Sequence, residues 1–82
     1  MAAESMMGEL IEYLAKNLVD SPDDVVITET GDGDRVQVRL DVGEEDWGKV
    51  IGKGGRIASS MRALVKVAAV REDVRVNLEI GD

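Results

Sequence analysis

Histidine, cysteine and phenylalanine are all absent from this 82-residue chain. Without histidine the chain lacks the commonest general base and the commonest metal ligand. Without cysteine, disulfides and thiolate metal sites are excluded. Tyr13 and Trp47 are the only aromatics, so the core is expected to be aliphatic. No apolar run approaches the ~18 residues of a membrane span. The N-terminal Met1-Ala2-Ala3-Glu4-Ser5 lacks the basic start and apolar centre of a signal peptide. These absences predict a cytoplasmic protein that uses no cofactor, no metal and no membrane. They also leave no nucleophile–base pair to assemble, so no enzyme is expected.

What is present is acid, aliphatic surface and glycine. Apolar residues make up 44% of the chain, enough for one compact core near the lower size limit of independent folding. The net charge is −7, yet its distribution is uneven. Residues 48–71 hold Lys49, Lys53, Arg56, Arg62, Lys66 and Arg71 and no acid, so this block is +6 and the remainder is −13. Any polyanion would have to bind locally, because the acidic remainder repels it within about 8–10 Å.

The periodicities predict a single domain over residues 1–82, with an N-terminal helix over about 5–19 and a core over about 25–80. Met7, Leu10, Ile11, Leu14 and Leu18 recur at helical spacing before Pro22. Residues 25–30 read as a strand, Gly31-Asp32-Gly33-Asp34 as a turn, and residues 35–42 as a strand. In that second strand Val36, Val38, Leu40 and Val42 alternate with Arg35, Gln37, Arg39 and Asp41. A short helix over 44–51 follows, opened by Glu44, Glu45 and Asp46, which suit the positive end of a helix dipole. Residues 52–55 break the chain. A longer helix covers 56–70 with Ile57, Met61, Leu64 and Ala68 as its apolar stripe, and residues 74–80 alternate as a last strand. The fold class expected is α+β: helix-strand-strand-helix-helix-strand, a three-stranded mixed sheet covered on one face by three helices.

The stretch Val50-Ile51-Gly52-Lys53-Gly54-Gly55-Arg56-Ile57 carries the functional signal. Glycines let a backbone approach another molecule closely, and the helix that follows offers unpaired N–H groups and a positive dipole end. Together these suit a phosphate backbone. Lys53 and Arg56 flank the turn and lead the candidates for phosphate contact. Lys49, Arg62 and Lys66 follow, against the plainer reading of a solvated helix face, and Ser59 lies close enough to the helix start to reach a phosphate. Arg71 reads as a helix end and Trp47 as packing. The spacing excludes a nucleotide-binding P-loop, which needs G-x-x-x-x-G-K followed by Ser or Thr. A plain helix–turn–helix remains the bland alternative.

That aliphatic pair, the G-K-G-G run and the basic residue after it, in this element order, resemble the KH domain in its type II arrangement. The resemblance spans roughly residues 10–80 and points to the small bacterial family of single-KH-domain proteins called KhpA. It implies a cleft for about four nucleotides of single-stranded RNA, clamped by the loop. Carried onto this chain, Gly52, Lys53, Gly54 and Gly55 would hold phosphates, and Ile51, Ile57 and Ala58 would floor the cleft under the bases. The family further implies a homodimer or a larger KhpB-like KH-containing partner. The expected function is a non-catalytic RNA chaperone or post-transcriptional regulator. The alternative is a protein-interaction or dimerisation subunit that binds RNA only together with such a partner, motivated by the polar sheet face.

Overall fold

The computed structural model describes residues 6–80. Helix α1 (Met6–Leu18) is followed by a 3-10 turn (Pro22–Asp24) and the hairpin β1 (Val26–Asp32) and β2 (Arg35–Asp41). A second 3-10 turn (Glu44–Asp46) leads into α2 (Trp47–Ile51), a third (Lys53–Gly55) into α3 (Arg56–Arg71), and β3 (Arg75–Ile80) closes the fold. The methionines Met1 and, as a side chain, Met6 lie outside the description.

Strand order is β1-β2-β3. β1 and β2 pair antiparallel with Ile27 opposite Leu40, and β2 and β3 pair parallel with Val38 opposite Leu78. This register lines Val36, Val38 and Leu40 up with Val76, Leu78 and Ile80 on one face, as the period-2 alternation requires. Helices cover that face. Ile11, Val38, Leu40, Val50 and Val65 are the largest fully buried side chains, so the core is aliphatic. Trp47 is half-buried and packs on its edge.

Two expectations need correction. Of the stripe expected on helix α3 only Leu64 fails: Met61 is buried, Ile57 and Ala68 are half-buried against the core, and Leu64 is 48% exposed, while Ala58, Val65 and Ala69 are buried. The helix must face both the sheet and α1, and the small Ala58 and Ala69 let it lie close, which turns Leu64 outward. The helix expected over 44–51 is split into a 3-10 turn over Glu44–Asp46 and the α-helix Trp47–Ile51, with the Asp46 carboxylate buried at the junction.

Candidate nucleic-acid interface

Asp46 is only 3% exposed. Its carboxylate accepts hydrogen bonds from the backbone N–H of Asp20 (3.3 Å) and Ser21 (3.1 Å). It thus ties the start of α2 to the connection between α1 and β1. Lys49 completes the tie, donating to Asp20 Oδ2 at 2.8 Å and Asp46 Oδ1 at 3.4 Å. Burial alone would raise the Asp46 carboxyl; the two amide donors and the Lys49 ammonium outweigh it and hold the group below the ordinary 3.8. Lys49 is held above the ordinary 10.5, chiefly by its hydrogen bond to Asp20 and against the opposing effect of burial.

A carboxyl held low stabilises the fold above the ordinary aspartate value, and that stabilisation fades as pH falls through the lower folded value. The lysine contribution is full below 10.5 and disappears as pH rises through its raised folded value. Asp46→Asn is therefore expected to melt several degrees below the parent chain at neutral pH. The gap should close in strong acid, where the parent carboxyl is protonated as well. Thermal melts of both chains across the acid range check this, and a gap that does not change with pH would reject the tie.

The loop begins where this tie ends. The Gly52 N–H donates to Gly48 O at 2.9 Å and closes α2. Gly52 then takes φ 77°, ψ 168°. A Cβ there would stand 2.6 Å from Ile57 Cγ1 and 2.9 Å from Ile57 N, so the first turn of α3 packs directly on bare Gly52. Gly54 (φ 66°) and Gly55 (φ 77°) also have left-handed angles, but a Cβ on either would meet nothing within 4 Å. Their open side faces solvent.

Two of the backbone N–H groups around the loop are already used within it. The Gly55 N–H donates to Gly52 O at 3.0 Å, and the Arg56 N–H to Lys53 O. Lys53 and Gly54 stand at the first positions of the 3-10 turn, where N–H groups have no acceptor within the helix. Lys53, Arg56 and Ser59 are exposed. Among the described residues no ion pair or hydrogen bond engages the Lys53 or Arg56 side chain, so both cations are available to an anion. Lys49, by contrast, is engaged by Asp20 and Asp46. Arg62 Nε donates to Leu78 O at 3.4 Å, which bends its guanidinium over β3.

Of the expected apolar floor, Ile51 and Ile57 are half-buried, whereas Ala58 is 3% exposed and offers almost no surface to a base. Apolar surface missing from the sequence reading comes from α1. Leu14 and Leu18 join Ile57, Met61 and Leu64 around a groove of about 330 Å³ with Arg56 at its rim.

A family model described as "KhpA/KhpB, KH domain" matches residues 8–80. The RNA-binding protein KhpA of Caldanaerobacter subterraneus subsp. tengcongensis is 51% identical over 74 residues, covering 90% of this chain and 99% of the relative. The RNA-binding protein KhpA of Clostridium perfringens is 49% identical over 74 residues, with 90% and 99% covered. That of Treponema pallidum is 46% identical over 79 residues, with 95% and 98% covered. No solved structure matches significantly.

Proposed function

The chain belongs to the KhpA/KhpB KH-domain family, and from that premise we propose that residues 1–82 form one KH domain that grips single-stranded RNA without catalysing a reaction. The observation that carries this reading is the loop: two glycines, Gly54 and Gly55, with open space on the side a Cβ would occupy, flanked by the unengaged cations of Lys53 and Arg56. The amides of Lys53 and Gly54 and these two side chains hold backbone phosphates, while Ile51 and Ile57 offer apolar contact to bases. Arg62, Lys66 and Ser59 extend the track along α3. Phosphate contacts position a strand without reading its sequence, which suits an RNA chaperone or post-transcriptional regulator of the cytoplasm. Among the described residues no helix is long and apolar enough to cross a membrane.

The test is a titration of a short fluorescent single-stranded RNA, followed by anisotropy at several salt concentrations. Each phosphate neutralised on a single strand contributes a log–log slope of about −0.7, so two to three contacts predict roughly −1.4 to −2. Saturable binding with such a slope is the expected result. A folded chain that binds no RNA would overturn this reading.

A second reading, dimerisation or docking on a KhpB-like partner, is favoured by one observation. Leu64, Val67 and Val70 on α3 are 48%, 60% and 80% exposed and share one arc of the helix. The polar sheet face that motivated this reading from sequence is instead cross-linked within itself (Arg39–Asp41, Gln37–Glu79, Asn77–Gln37). Val70→Glu, at the most exposed of the three, is expected to weaken self-association in sedimentation velocity while the chain keeps its fold by circular dichroism.

A further inference from the structure

The face of the sheet turned away from the helices is organised as a polar ladder. Arg39 pairs with Asp41 at 3.0 Å and with Glu79 at 3.7 Å. Asn77 Nδ2 donates to Gln37 Oε1 at 2.9 Å, and Gln37 Nε2 to Glu79 Oε1 at 3.3 Å. At the hairpin end the pattern stops. Arg35 and Arg75 are direct neighbours in the parallel β2–β3 register, both exposed. Among the described residues, neither guanidinium has an ion pair or hydrogen bond. Like charges placed opposite each other in a sheet are destabilising. Here they stand in an open pocket of about 540 Å³, together with Thr30, Asp32, Gln37 and Asn77.

We propose that the Arg35–Arg75 pair is a binding site for a phosphate group, separate from the glycine loop. Neighbouring strands lie about 4.8 Å apart, so two guanidinium forks start close enough to converge on one anion. Each fork matches two oxygens of a tetrahedral oxyanion. The Thr30 hydroxyl and the remaining N–H of the Asn77 amide add neutral donors on the wall. The pocket offers no aromatic ring, so the phosphate itself, not a base, is what is recognised. Asp32 faces Arg35 across the hairpin and lowers the local charge to +1. It sets the affinity by competing for the arginines. Helices α1 and α3 pack on the opposite face of the sheet and no loop residue lines this pocket, so this site stands or falls independently of the loop.

The phosphate could belong to a nucleic-acid backbone or to a free phosphate compound, and one experiment distinguishes the two. Inorganic pyrophosphate and a short single-stranded RNA are titrated separately into 15N-labelled protein carrying Lys53→Asp and Gly54→Asp, which disable the loop. Arginine Nε and backbone amide resonances are followed by NMR. Pyrophosphate is expected to shift Arg35, Arg75 and their neighbours saturably. Arg35→Gln/Arg75→Gln removes the response, and Asp32→Asn tightens binding several-fold. If RNA produces the same shifts, the source is nucleic acid; if only pyrophosphate does, it is a free phosphate compound. The site is overturned if pyrophosphate gives no saturable shift, or if the shifts persist unchanged in Arg35→Gln/Arg75→Gln.

Discussion

Gly52→Ala is expected to be among the most damaging single-methyl additions in this chain, costing about 2–6 kcal/mol. Two effects add. The backbone at φ 77°, ψ 168° lies in a region that is essentially glycine-only and costs of order 1–3 kcal/mol for other residues. The new Cβ also meets Ile57 Cγ1 at 2.6 Å and Ile57 N at 2.9 Å. The side chain can rotate, but the backbone nitrogen belongs to the first turn of a 16-residue helix and cannot move alone. Overpacking of that kind typically costs about 1–3 kcal/mol. A domain of this size is stable by only about 4–12 kcal/mol, so a large part of its stability is at risk. Gly54→Ala is the matched control. Its Cβ enters open space, so it bears only the left-handed penalty of about 1–2 kcal/mol. Urea unfolding of both variants checks the ranking. A Gly52→Ala chain as stable as Gly54→Ala would show that Ile57 does not rest on the loop.

That difference between glycines was not legible in the sequence, where residues 52, 54 and 55 look alike. The contact that separates them comes from the angle at which α3 leaves the turn. What was legible follows from one-faced burial. The alternation of β2 and β3 required a sheet wet on one side, and the order of periods required three helices on the other. Leu64 on helix α3 was misread because the helix packs against two surfaces, and alanines at 58 and 69 carry little hydropathy signal. The tie that Asp46 and Lys49 make was hidden for a different reason. In an acidic cluster and a basic block each looks solvated, but their partners Asp20 and Ser21 lie 25 to 29 residues away in the chain. No local pattern reports such a pair. The exposed Leu64, Val67 and Val70 follow from the same packing of α3.

Because the loop's glycines divide into one that carries α3 and two that are bare, recognition can be broken without breaking the fold. Lys53→Asp/Gly54→Asp is expected to lower affinity for single-stranded RNA at least ~100-fold, while the chain stays folded and loses no more stability than the about 1–2 kcal/mol expected of Gly54→Ala. Both positions are exposed. Aspartate tolerates the left-handed angles better than most residues, and the Gly54 Cβ has room. The loss in binding has two parts. Removing the Lys53 ammonium deletes one phosphate contact and should flatten the log–log salt slope by about 0.7. Two carboxylates set against phosphates about 4 Å away then add repulsion of about 1 kcal/mol or more each, depending on how far water is excluded. The variant should remain weaker at every salt concentration, with the gap narrowing as salt rises. Lys49→Ala supplies the opposite pattern: its ammonium is held by Asp20 and Asp46, so stability should fall while RNA affinity and slope change little. Anisotropy titrations and melts of the three chains together decide the matter. If Lys49→Ala lost RNA binding and Lys53→Asp/Gly54→Asp kept it, the strand would have to run along α2 and not over the glycine turn.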